Sequence, residues 1–331
     1  MELGLLMNRF LLVALLCSAV PASAIMVISG VDPNAVIING NNDFFGTLNL
    51  SGVVEVTTDF GNCSGVLVGD STVLTAGHCM GPNSGSLYNR PQVTFLGPTN
   101  TGPFLGGYQT IQVASVSFDP LWNGDPTLGG DLAVVHLAAP APSYAMRYSL
   151  YTGPSIPYGS ALVLAGFGVS GTGATGISSA YPYDFLRAGT NVYETNGADP
   201  LLGWSPNLLM GQFYDVNNPS TNALGVANPY SSSDEVDIAH GDSGGPTFYN
   251  GQVIGIHDLG ACLTAQNSST CLQPPSISSD ANLSTYGQLF GDVSVSGNLA
   301  FLEGQLVPEP ESVILIGIGL VLTGLLRRGR H

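Results

Sequence analysis

No lysine occurs anywhere in this chain, and charged residues of every kind fill only 9% of its 331 positions. Arginine supplies all the strong positive charge, and Arg327, Arg328 and Arg330 crowd into the last five positions. Between the two apolar ends only Arg90, Arg147 and Arg187 remain. A body so poor in cations has nothing with which to neutralise a row of phosphates, which argues against nucleic acid as a partner. Low charge also argues against a coiled coil or a charged linker. No amphipathic helical stretch of useful length precedes about Ser296, and no internal repeat is visible. Neither close cysteine pair has Cys-x-x-Cys spacing, and no dense acidic loop demands calcium, so neither a metal nor another cofactor is expected.

The chain does hold an acid excess, with a net charge of −16, which reads as the solubility device of an exported protein. Its hydrophobic fraction of 44% is enough for a sizeable core. Glycine (44) and proline (22) are scattered without a period, which favours short strands joined by turns.

Both ends read as targeting segments. Arg9, the apolar run Phe10 to Cys17 and the small residues Ala22-Ser23-Ala24 make a secretory leader over 1–24, and Met7-Asn8-Arg9 is a better start than what precedes it. Residues 25–36 read as a short propeptide. At the other end, Ser312 to Leu326 is apolar and precedes the arginine cluster. As a helix these residues would reach roughly 22 Å, short of a ~30 Å hydrocarbon core, and the arginines would stay on the cytoplasmic side. Pro308-Glu309-Pro310, the apolar stretch and the arginine cluster together resemble the PEP-CTERM sorting signal of Gram-negative bacteria over 307–331. That resemblance implies transient membrane anchoring, processing by an exosortase-type peptidase, and release or attachment at the cell surface.

With Cys17 removed, Cys63, Cys79, Cys262 and Cys271 remain, an even number that permits two disulfides in three connectivities. Close spacing favours Cys63–Cys79 and Cys262–Cys271. Short apolar or alternating runs recur at Val53 to Thr58, Gly65 to Val68, Thr72 to Ala76, Gln92 to Leu96, Ile111 to Phe118, Leu132 to Leu137, Ala161 to Ala165 and Asn191 to Glu194. Asn250-Gly251 marks a tight hairpin between Phe248-Tyr249 and Val253 to Ile256. Such spacing predicts a barrel or sandwich, with Pro140 to Pro157 linking two halves.

Three segments carry the chemistry: Thr75-Ala76-Gly77-His78-Cys79, Asp131-Leu132-Ala133-Val134-Val135 and Gly241-Asp242-Ser243-Gly244-Gly245-Pro246. In that order they resemble the signature segments of the trypsin-like (chymotrypsin-fold) serine proteases, a resemblance spanning 37–306. Gly-x-Ser-x-Gly also fits the nucleophile elbow of α/β-hydrolases, but there the histidine follows serine and acid. Here His257 follows too closely, His331 is in the tail, and the chain lacks helices.

The family resemblance implies an all-β fold of two packed antiparallel six-stranded barrels, with Val293 to Gly304 resembling the closing strand and short C-terminal helix of that fold. It implies a serine endopeptidase acting on protein or peptide substrates, secreted or at the cell surface, and expected to be a monomer. Ser243 is then the nucleophile, His78 its base, and Asp131 the orienting acid, with Asp125 as a nearby competitor. The amides of Gly241 and Ser243 would form the oxyanion hole. Asp237, His240, Asp258 and Gly260 would line the specificity pocket, and a carboxylate at 237 implies cleavage after Arg or Lys. Ile37 of Ile37-Ile38-Asn39-Gly40 would be the new N-terminus that pairs with Asp242. A different class of function, a catalytically silent adhesion or matrix protein on the same fold, is separated from the enzyme by whether Ser243 reacts.

Overall fold

The computed structural model describes residues 25–37, 43–44, 48–97, 107–178, 180–181, 185–226, 235–262 and 284–306. The expected leader, the C-terminal sorting segment and Cys271 lie outside them, as does any pairing of Cys271 with Cys262. Among the described residues no helix is long and apolar enough to cross a membrane.

In chain order the first half contains β1 (Met26–Val27), the small hairpin β2 (Asp43–Phe44) and β3 (Leu48–Asn49), then β4 (Val53–Thr57), β5 (Asn62–Leu67) and β6 (Thr72–Thr75). A single helical turn, α1 (Gly77–Met80), precedes β7 (Gln92–Phe95), β8 (Gln109–Phe118) and β9 (Ala133–Leu137). The second half contains β10 (Leu162–Gly166), β11 (Gly171–Thr172), β12 (Gly176–Ile177), β13 (Arg187–Asn191), β14 (Thr195–Asn196) and β15 (Leu208–Phe213). It ends with β16 (Val236–Asp237), β17 (Pro246–Tyr249), β18 (Gln252–Cys262), β19 (Gln288–Ser294) and α2 (Leu299–Leu306).

Strands β4, β5, β6, β9, β8 and β7 close into a six-stranded antiparallel barrel. The second half forms a seven-stranded sheet in the order β13-β10-β17-β18-β19-β15-β14, where the resemblance implied six strands; the addition is the two-residue edge strand β14. A smaller sheet, β12-β11-β1-β16, lies beside it. Residues 138–161 link the two halves, as the proline-rich stretch suggested.

The apolar runs of the barrel strands are explained by burial on both faces. On β6 and β9, Val73 and Val135 point into the barrel with Val56, Val93 and Phe95. Their alternates Leu74 and Val134 point outward, into a core shared with Ala165, Phe248, Ile256 and Val293 of the second half. Each such side chain, fully buried, contributes about 1.5–3 kcal/mol, so this shared core fixes the halves against one another. Asn250 and Gly251 adopt φ of 50° and 77°, the two left-handed positions that a two-residue hairpin requires between β17 and β18.

Candidate active site

His78 sits in the turn that follows β6. Gly77 leaves that turn room, because a Cβ there would lie 2.8 Å from Asp131 Oδ1 and 2.9 Å from the Trp122 ring. Cys79 is bonded to Cys63 on β5, closing a loop of 16 residues in sequence separation, a constraint of about 3 kcal/mol on the unfolded chain. The expected Cys63–Cys79 disulfide is therefore present.

Asp131 stands just before β9, fully buried. Its Oδ1 accepts from the His78 main-chain N–H at 2.6 Å, and its Oδ2 meets His78 Nδ1 at 2.5 Å. Two bonds to one residue fix both the position of the turn and the plane of the ring. With its proton on Nδ1, a neutral ring keeps a lone pair at Nε2, and the His78 side chain as a whole is 30% exposed. Burial alone would make the imidazole harder to protonate, but the charge and hydrogen bond of Asp131 outweigh it and raise His78 above the ordinary 6.5. Burial pushes the Asp131 carboxyl up, and His78 more than offsets it, holding the group below 3.8. Asp125 serves elsewhere, as a cap: its Oδ1 accepts from the Thr127 amide at 3.0 Å and so closes the turn Pro126–Leu128.

Ser243 lies on the loop between β16 and β17 and reaches the first half through its own carbonyl. That oxygen accepts from the Ser64 N–H at 2.8 Å and lies 3.5 Å from Cys79 Sγ, one residue beyond His78. Ser64 was not singled out in the sequence, yet its hydroxyl donates to Gly241 O at 2.9 Å and accepts from the Phe167 N–H at 2.9 Å. Placed between Cys63 and Gly65, it bolts the serine loop to the barrel. Gly244 can be nothing but glycine here: its φ is 82°, and a Cβ would lie 2.1 Å from Thr75 Oγ1.

The amides of this loop divide into two groups. Those of Asp242, Gly244 and Gly245 bond to the carbonyls of Ala239, His257 and Asp242 at 3.0, 2.7 and 2.7 Å. Among the described residues, those of Gly241 and Ser243 have no acceptor. These are the two amides expected to face a developing oxyanion.

The specificity residues are dispersed differently from one another. Asp237 is buried on β16 opposite Met26, and its Oδ1 accepts the next amide, Ile238 N, at 2.9 Å. Burial, then the charges of Asp242, Glu235 and Asp292, push this carboxyl well above 3.8, despite the opposing main-chain bond. His240 reaches the surface, yet the protein packed around its ring, then the nearby His78, lower it below the ordinary 6.5. Gly260 has open space where a Cβ would stand. Asp258 stands against the His78–Asp131 pair: ligand atoms of the three side chains lie within 4.8 Å of one another. Burial, then the Asp131 charge, push Asp258 well above the ordinary 3.8, the opposite direction from its neighbour Asp131. This trio has the donor types of a cation site, and in it each Asp131 oxygen accepts one bond from His78. The proximity of His78 to Cys63 and Cys79 offers no metal site, since those sulfurs are bonded to each other.

Asp242 is fully buried. Ile37 is joined in a bridge to Arg187 and donates to Asn34 O at 3.4 Å. The residue that reaches Asp242 is Ile25, whose N–H donates to Oδ2 at 2.9 Å; Ala239 N and Gly168 N supply further donors at 2.8 and 2.9 Å. The segment 25–36, expected as a propeptide, is thus part of the fold, with Ile25, Met26 and Val27 fully buried.

A further buried network, invisible in the sequence, stands behind the serine loop. His257 Nδ1 meets Asp292 Oδ1 at 2.9 Å, while Tyr193 and Thr247 each donate to Asp292 Oδ2 at 2.5 Å. Main-chain bonds of His257 with Gly244 and Gly245 tie this network to the loop.

Known proteins match this arrangement. The family model described as Trypsin matches residues 37–197, the stretch that holds His78 and Asp131. Trypsin-4 of Rattus norvegicus is 30% identical over 199 residues, covering 60% of this chain and 69% of that protein. The chain belongs to the trypsin family. Its closed barrel, second β-sheet half and terminal helix are the serine protease scaffold of the chymotrypsin fold, and the trypsin-type cysteine pair around His78 is intact.

Proposed function

We propose that this protein is an exported serine endopeptidase that cuts peptide bonds through an acyl-serine intermediate. The observation that carries the reading is the pair of hydrogen bonds between His78 and Asp131, beside a serine loop whose Gly241 and Ser243 amides have no acceptor among the described residues. In the proposed step, Ser243 Oγ bonds to the scissile carbonyl carbon while its proton passes to His78 Nε2. The carbonyl oxygen takes the negative charge and is received by the Gly241 and Ser243 amides, each worth about 3 kcal/mol in the transition state. The C–N bond then breaks, the amine leaves with the proton from His78, and water enters to release the acyl group by the same route in reverse. Asp131 keeps the ring in the Nδ1–H tautomer and stabilises the imidazolium.

Asp237, buried near the serine loop, supports a preference for Arg or Lys before the cut, since a desolvated guanidinium or ammonium would ionise that acid and pair with it. Export rests on the leader over 1–24 and surface delivery on the PEP-CTERM-like segment over 307–331. One assay tests the whole reading: peptides that differ only at the residue before the cut, incubated with correctly processed protein. Cleavage after Arg that disappears in Ser243→Ala is expected. No cleavage in any processed form would overturn the enzyme in favour of the silent matrix protein, and equal cleavage after Leu and Arg would overturn the specificity.

A further inference from the structure

Asp258 is the odd residue of strand β18. Its neighbours His257 and Leu259 pair with Asp292 and Gly291, which are consecutive on β19, so Asp258 is the extra residue of a β-bulge. A bulge re-aims the side chain it carries. Main-chain bonds of His257 with Gly244 and Gly245 fix this point of the strand to the serine loop. The Asp258 carboxyl, on a residue only 5% exposed, is thereby held against the His78–Asp131 pair, with ligand atoms of the three side chains within 4.8 Å of one another. No donor among the described residues reaches either of its oxygens.

The titratable groups that bear on it are His78 from the turn after β6, Asp131 from just before β9, Asp292 from β19 and Asp125 from the turn at Pro126. His78 is bonded to Asp131, and His257, next to Asp258 on β18, is bonded to Asp292. An ionised Asp258 would be a second buried carboxylate beside Asp131, with neither a donor nor a cation of its own. Burial, then the Asp131 charge, push it in the direction of keeping its proton. A neutral carboxyl has an O–H to give. Each oxygen of Asp131 accepts once from His78 and keeps a second lone pair to receive it.

We propose that Asp258 keeps its proton and donates its O–H to Asp131 in a hydrogen bond, so that His78 is oriented by a carboxyl–carboxylate pair and not by a lone carboxylate. Asp258 is then a positioning residue that acts through Asp131. Its O–H gives the buried carboxylate a further donor and spreads the negative charge, which loosens the hold of Asp131 on the ring proton. The effect on turnover rests on the reading of His78 as the base of Ser243; the shared hydrogen does not.

The test uses the full-length, correctly processed protein and two variants, Asp258→Asn and Asp258→Leu. The infrared difference between wild type and Asp258→Asn at neutral pH should contain the carbonyl band of one neutral carboxylic acid. Asn carries an uncharged donor, so Asp258→Asn should keep kcat/KM within about 3-fold of wild type, and the acid limb of its pH–rate profile should keep the same midpoint. Leu carries none, so Asp258→Leu should lose roughly 10-fold in kcat with KM little changed, and its midpoint should move upward because the Asp131 charge is undiluted. Dialysis against a chelator should alter none of this. A missing band would overturn the proposal, as would a midpoint about one pH unit lower in Asp258→Asn, the sign that a charge had been removed. Wild-type kcat and midpoint in Asp258→Leu, or activity lost to the chelator, would overturn it too. A clear band in a protein that cleaves nothing would support the shared hydrogen and overturn the hydrolytic reading instead.

Discussion

His78, Asp131 and Asp258 form a set of three titratable side chains that must share very little charge in very little space. His78 holds the Asp131 carboxyl below its ordinary value against burial, while burial, then the Asp131 charge, push Asp258 well above its own. His78 in turn is harder to deprotonate than a free imidazole, since the Asp131 charge outweighs burial. A base must be neutral to act, so kcat/KM should rise with pH through a value above 6.5. In Asp131→Asn the burial that disfavours the cation is left unopposed, so that midpoint should fall below 6.5 while the rate drops by orders of magnitude. The pH–rate profiles of the two proteins check this; an unchanged midpoint would mean that Asp131 does not set the ring. For stability the sign is the same: the folded ring holds its proton more tightly, so its contribution is full below 6.5 and is lost as pH climbs through the raised value.

Strand β5 and the loop after β16 come from different halves, and Ser64 joins them through Gly241, Ser243 and Phe167. Removing its hydroxyl in Ser64→Ala leaves the Gly241 carbonyl and the Phe167 amide unpaired in a buried place, at about 1–3 kcal/mol each. Thermal unfolding of Ser64→Ala should therefore begin several degrees lower, with kcat reduced more than KM is raised, because the oxyanion amides shift. Gly244→Ala should be worse than Ser64→Ala in both respects, since it combines a left-handed φ with a 2.1 Å clash. Equal stability of wild type and Ser64→Ala would show that the hydroxyl is not what ties the halves together. Ser64 was illegible in the sequence because a lone serine in a strand has no pattern; only register and the disulfide place it against the loop.

At the scale of the molecule, the strand runs, the His78 and Ser243 segments and the Asn250-Gly251 turn were readable because each rests on local chemistry. Period-two burial, a glycine-permitted loop and a left-handed turn leave marks within a few residues. The His257–Asp292–Tyr193–Thr247 network left no mark, because its members are up to 99 residues apart. Ile37-Ile38-Asn39-Gly40 carries the residues to which the resemblance pointed, whereas the bond that the sheet β12-β11-β1-β16 makes to Asp242, from the Ile25 N–H, has no such local mark. Asp258 was read as a specificity-pocket residue by position; its burial beside Asp131 and His78 could not be read from the sequence. Which bonds form between the halves is a property of closure, and short motifs do not encode closure.

The central claim is that a hydroxyl, an imidazole and a carboxylate act together to make and break an acyl-serine. Pre-steady-state hydrolysis of a chromogenic ester by the processed protein tests it most directly, because an acyl-enzyme releases its first leaving group before any deacylation. The account predicts a burst whose amplitude approaches one leaving group per protein molecule, and no burst in Ser243→Ala. A burst of undiminished size in Ser243→Ala would contradict it.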